Sequence, residues 1–84
     1  MTPDQCKDAR RLLRWSRQRL SHESTTSIAF IAAYEIAGRI MVPRGRDAGR
    51  DRLAKMRAAL EAAGVQFVDE NDGGPGVRLL KADT

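Results

Sequence analysis

Thr2, Ser16 and Ser27 each stand immediately before a helix-patterned segment, and Gly38 closes the last of the three. A hydroxyl at such a position caps the exposed amide groups of a helix start, and glycine accepts the left-handed residue that ends one. A chain punctuated in this way does not run one long helix through its first 38 residues. It breaks into three short ones, and short helices are stable only when they bury a face against each other.

The first start is the most fully specified. Thr2 is the cap, Pro3 suits the first helical position, Asp4 favours the positive helix end, and Gln5 completes a capping box. Cys6, Ala9, Leu12 and Leu13 then recur at helical spacing, while Lys7, Arg10, Arg11 and Arg14 point elsewhere, so a helix is predicted from Pro3 to Arg14. Ser16 caps a second, short helix from Arg17 to about Glu23, with Leu20 facing inward. The hydroxyl-rich run from Ser21 to Ser27 reads as a turn. Ser27 caps a third helix from Ile28 to Ala37. Two short helices joined by a tight polar turn make a helix-turn-helix outline, with the second helix presented outward.

Beyond Gly38 the arginine-rich stretch with Pro43 and Gly45 reads as a loop to about Arg46. A helix then runs to Ala63, with Leu53, Met56, Leu60 and Ala63 inward, and Gly64 ends it. Val65 to Val68 alternates as a strand, Asn71 to Gly76 has turn chemistry, and Val77 to Leu80 is a second strand. A two-stranded hairpin alone is barely stable in water, so this one must lie on the helices or pair with another chain. The expected fold is mainly α: a four- to five-helix bundle with a short C-terminal β-hairpin. Residues 1–64 form the helix-turn-helix domain, and residues 65–84 its hairpin and tail. At 84 residues there is room for one small domain, whose marginal core makes a partner plausible.

Charge is distributed unevenly. Residues 1–57 hold 13 Lys and Arg against 6 Asp and Glu, whereas residues 58–84 hold 2 against 5, within a formal net charge of +4. Twelve of the fifteen cations are arginines, the side chain that grips phosphates bidentately. A solvated helical face is the plain reading of such a stretch, and an arginine-weighted body with an acidic tail tilts it toward a nucleic-acid surface.

The chain resembles the Cro and phage-repressor type of helix-turn-helix proteins, the Xre family, and within it the short bacterial members with a hairpin tail. The residues that carry the resemblance open with Thr2-Pro3-Asp4-Gln5-Cys6, Ala9-Arg10 and Leu12-Leu13-Arg14-Trp15-Ser16. Leu20, Ser27, Ile31, Tyr34-Glu35 and Gly38-Arg39 follow. It resumes at Leu53 and from Leu60 to Asn71, and closes with Gly73 to Leu79. The resemblance implies a lambda-repressor-like bundle that places its third helix in the major groove of double-stranded DNA. It further implies that Arg17 holds the phosphate-contact position usually filled by Gln. Ser27, Ile28, Ala29 and Ala33 fall at the base-facing positions, and Arg39, Arg44 and Arg46 act as phosphate clamps.

Three departures from that pattern bear on function. Thr25 stands where the family turns on Gly, and Glu35-Ile36-Ala37-Gly38 has one residue more than the usual Glu-x-Gly. The outward positions Ile28, Ala29, Phe30 and Ala33 are apolar where hydrogen-bonding side chains are expected. Methyl groups touch only thymine methyls, so base-specific hydrogen bonding by this helix is expected to be weak. The same apolar residues also fit a fully buried helix, or an exposed patch that binds another protein through Ile28, Phe30 and Ile36.

The remaining residues offer little chemistry. Trp15 and Tyr34 read as core plugs, His22 as a solvent-facing turn residue, and Cys6 as a small buried hydrophobe. One cysteine and one histidine make no metal-ligand set, and the acidic residues Asp69, Glu70 and Asp72 lack a calcium-loop spacing. No nucleophile–base pair or carboxylate dyad suggests an enzyme, and no cofactor or small-molecule substrate is implied. The polar opening and the absence of a long apolar run read as a soluble, cytoplasmic protein without a membrane span. The expectation from sequence is therefore a small DNA-binding transcriptional regulator, acting as a homodimer. A degenerate helix-turn-helix serving as a protein-interaction module is the alternative.

Overall fold

The computed structural model describes residues 1–38, 48–68 and 75–80. Four α-helices and one antiparallel hairpin follow in order: α1 (Pro3–Leu13), α2 (Arg17–Ser24), α3 (Ile28–Ala37), α4 (Ala48–Ala62), β1 (Val65–Val68) and β2 (Gly76–Leu79). The punctuation expected from sequence is present at each of the first three starts. Thr2 accepts from the Gln5 amide while the Gln5 side chain accepts from the Thr2 amide. Ser16 caps α2 through the Arg19 amide, and Ser27 caps α3 through the Phe30 amide.

Gly38 ends α3 with φ 68, and the two other stops use residues with a Cβ: Arg14 ends α1 at φ 59 and Thr25 ends α2 at φ 53. Hydroxyl groups fix the turn that follows. Ser24 Oγ donates to the Leu20 carbonyl and Thr26 Oγ1 to the Ser24 carbonyl. The Thr26 amide and Ser21 Oγ reach across it in opposite directions. Thr26 is buried beneath the turn, so these bonds satisfy backbone groups that water does not reach.

The core is a single cluster. Cys6 and Ala9 of α1, Leu20 of α2, Phe30, Ile31 and Tyr34 of α3, Met56 and Leu60 of α4, and Val65 and Phe67 of β1 meet there. One of the helically spaced apolar positions is corrected, and two others line the edge of the core. Leu12 is 42% exposed, and Leu13 and Leu53 are only partly buried. Helix α4 is described over Ala48–Ala62, ending one residue before the expected Ala63; its expected start just beyond Arg46 lies outside the described residues. Tyr34 is a core residue, and Trp15 packs half-buried at the core margin beneath the Arg19 guanidinium.

The hairpin pairs Val65 with Leu79, Gln66 with Arg78, Phe67 with Val77 and Val68 with Gly76. Val65 and Phe67 enter the core on one face, while Gln66 and Arg78 pair on the other through a 2.6 Å hydrogen bond. Gln5 locks the sheet to α1: its buried amide donates to the carbonyls of Val68 (3.2 Å) and Gly76 (2.9 Å), the last rung of the ladder. The Leu80 amide also donates to the Gly64 carbonyl at 2.7 Å. A hairpin too small to stand alone is thus held by the capping-box glutamine of the first helix. The turn from Asn71 through Gly74 and the acidic residues Asp69, Glu70 and Asp72 lie outside the described residues.

Candidate functional site

Helix α3 turns its polar side chains inward and much of its apolar surface outward. Its only polar side chains, Tyr34 and Glu35, are buried, whereas Ile28, Ala29, Ile36 and Ala37 are exposed and Ala32 and Ala33 are half-buried. Ile28 is 45% and Ile36 70% exposed. At 100° per residue those six apolar positions share one half of the helix, and Phe30, Ile31, Tyr34 and Glu35 the other. Phe30, expected outward from sequence, is a correction: at 1% exposed it is a core residue, with Arg52 of α4 over its ring at 5.4 Å.

The buried polar groups are fully engaged. Tyr34 Oη donates to the Met1 carbonyl at 2.7 Å. Glu35, with a side chain wholly out of solvent, accepts from Arg10 at both oxygens (Nη2 to Oε1, 2.7 Å; Nε to Oε2, 2.8 Å). It also accepts from Arg17 Nε at 2.9 Å and from Cys6 Sγ at 3.0 Å. Arg10 Nη1 donates onward to the Trp15 carbonyl. Arg10, expected to face solvent, is therefore turned inward, because a carboxylate inside the bundle needs a cation within reach.

Burial alone would raise the Glu35 pKa, and the hydrogen bonds from Arg10, Cys6 and Arg17 outweigh it, holding the carboxyl below its ordinary range. The same cluster pushes the Cys6 thiol up, through burial first and the neighbouring Glu35 second. Cys6 is thus a buried thiol donor as well as a small packing residue.

The other residues singled out from sequence distribute as follows. Arg17 occupies the first position of α2 with its side chain 34% exposed. Its Nε is held by Glu35, and among the described residues its two Nη groups have no hydrogen-bond partner. Ser27 is exposed with its Oγ committed to the α3 cap; Ile28 and Ala29 follow it on the surface, and Ala33 is half-buried one turn on. Arg39, Arg44 and Arg46 lie outside the described residues. His22 is exposed in the last turn of α2. Arg14 and Arg50, at the end of α1 and the start of α4, are exposed cations.

Among the described residues there is no cluster of three or more metal-ligating side chains, and no helix is long and apolar enough to cross a membrane. One open depression of about 350 Å³ lies between α1 and β2, lined by Asp8, Arg11, Leu12, Gly76 and Val77.

The Arg10–Glu35–Arg17 cluster is the buried polar feature that sequence reasoning passed over. Its signal was present: Glu35 is the one charge in an otherwise apolar helix, and a lone charge there must find a partner inside the fold. A scan against protein-family models gives no match for this chain, and a search of curated proteins gives none either.

Proposed function

We propose that this protein is a small DNA-binding transcriptional regulator with a lambda-repressor-like helix-turn-helix, α2 resting on the backbone and α3 entering the major groove. The observation that carries the reading is the α2–turn–α3 unit itself. Two short capped helices are joined by three residues on a left-handed Thr25, with the start of α3 exposed. Net positive charge over residues 1–57 supports it, since phosphate neutralisation supplies most of non-specific affinity.

In this reading Arg17 contacts a phosphate through its Nη edge, and Ser27, Ile28, Ala29 and Ala33 face the bases. Phosphate contacts at Arg39, Arg44 and Arg46 rest on the sequence alone. A twofold site bound by a homodimer follows from the usual pairing of such motifs with symmetric operators.

Fluorescence anisotropy with a labelled duplex across a salt series tests the proposal. The logarithm of affinity should fall with the logarithm of salt at about −0.9 per phosphate contacted. No binding at roughly 50 mM salt, or a slope near zero, overturns it. Arg17→Ala should weaken binding to all sequences alike and flatten the slope by about one.

A second reading is favoured by the exposed apolar half of α3: a helix-turn-helix scaffold that binds another protein through Ile28 and Ile36. Phe30 is not an anchor in it, being buried. It requires a protein complex that Ile28→Asp abolishes without loss of helical content.

A further inference from the structure

Helix α3 has almost nothing with which to hydrogen-bond a base. Tyr34 and Glu35 point into the bundle with their polar atoms consumed, and Ser27 Oγ caps the helix. What the helix offers outward is methyl and methylene: Ile28, Ala29, Ala32, Ala33, Ile36 and Ala37. We propose that this face reads DNA through the C5-methyl groups of the major groove, those of thymine and equally of 5-methylcytosine, rather than through base hydrogen bonds. The inference rests on the DNA-binding reading above and specifies what its recognition helix recognises.

Charge and shape both select this occupant. The apolar face belongs to the basic part of the chain, residues 1–57 with 13 Lys and Arg against 6 Asp and Glu, and the partly exposed Arg17 stands beside it with its Nε 2.9 Å from Glu35 of α3. Packing a second copy on this face would bring the two sets of arginines together, whereas a duplex brings phosphates to them. A helix of 10 residues is about 15 Å long and enters a groove roughly 12 Å wide. The small side chains of Ala29, Ala33 and Ala37 let the α3 backbone approach the base edges closely. In that groove the thymine methyl is the one apolar feature of the four standard base pairs. 5-Methylcytosine carries the same carbon at the same position.

The test uses the full chain and four duplexes of about 20 base pairs, long enough for two half-sites one helical turn apart. One is alternating A·T, and the second replaces every thymine with deoxyuridine, removing only the methyl group. The third is alternating G·C, and the fourth replaces its cytosines with 5-methylcytosine. Affinities are measured by anisotropy at one fixed low salt concentration. The thymine duplex should bind more tightly than the deoxyuridine duplex by about fourfold per methyl buried, the factor expected for taking one such group out of water. The 5-methylcytosine duplex should exceed its unmodified parent by a similar factor.

Ile28→Ser should lower the thymine-to-deoxyuridine ratio, whereas Arg17→Ala should weaken binding to both duplexes and leave that ratio unchanged, because phosphate contacts carry no sequence information. Salt-dependent binding with equal affinity for methylated and unmethylated duplexes overturns methyl reading and leaves DNA binding standing. Failure to bind any duplex overturns both. Sedimentation supplies a further check: a dimer lost on Ile36→Asp, together with a flat methyl ratio, would assign the face to self-association.

Discussion

Glu35 of α3 and Arg10 of α1 form a two-pronged ion pair inside the bundle, with Nη2–Oε1 at 2.7 Å and Nε–Oε2 at 2.8 Å. The carboxylate is wholly buried, and Arg17 and Cys6 supply its remaining hydrogen bonds. Through this one side chain the first helix, the start of the second and the last turn of the third are fastened together. In the proposed function that junction also sets the angle between the phosphate-contacting Arg17 and the groove helix.

Removing one partner should be worse than removing both. Arg10→Ala leaves a buried carboxylate short of two donors, and should cost about 3 kcal/mol in urea unfolding with an unchanged m-value. Arg10→Leu combined with Glu35→Leu should cost less than either change alone, because the desolvation cost of both charges is removed. A double mutant that is less stable than either single variant would contradict this account.

The pair also sets an acid limit. The folded Glu35 carboxyl titrates below its ordinary range, so its contribution is complete above the unfolded value of about 4.3 and is lost as pH falls through the folded value. Stability measured by denaturant titration should therefore drop below about pH 4.3. In Glu35→Gln the decline over the same window should be shallower, from a lower starting point.

The two halves of α3 should respond oppositely to truncation. Phe30→Ala removes a side chain that is 1% exposed and should cost about 3–5 kcal/mol. Ile36→Ala alters a side chain that is 70% exposed and should stay within about 0.5 kcal/mol. Thermal unfolding followed by circular dichroism separates them, since about 1 kcal/mol moves the midpoint of a domain this size by roughly 4–8 °C.

Thr25 offers a stabilising change. A β-branched residue at φ 53 pays a steric penalty of about 1–2 kcal/mol that glycine does not. Glycine returns about 0.4–1 kcal/mol of that through the greater freedom of the unfolded chain. Thr25→Gly should raise the thermal midpoint by a few degrees. A lower midpoint would mean that the Thr25 Oγ1 bond to the Ser24 carbonyl outweighs the backbone strain.

Element order was written in local chemistry. Thr2, Ser16, Ser27 and Gly38 mark helix ends because a cap acts on amides three residues away and a left-handed stop on its own backbone. The α3 bounds, Ile28 to Ala37, and the first strand, Val65 to Val68, follow from residues within those segments. The same locality explains what could not be read. Whether Phe30 or Ile28 faces inward depends on where α1, α2 and α4 pack, and an all-apolar stretch has no polar face to announce its orientation. The inward turn of Arg10 has the same cause, since its partner Glu35 lies 25 residues away. By itself, then, the sequence determined the order of the helices, the capped starts of the first three, the Gly38 stop and the surplus of positive charge. Tertiary structure alone decided that the two polar residues of α3 would be buried and its apolar half exposed, because burial is settled by packing between segments and not by the composition of any one of them.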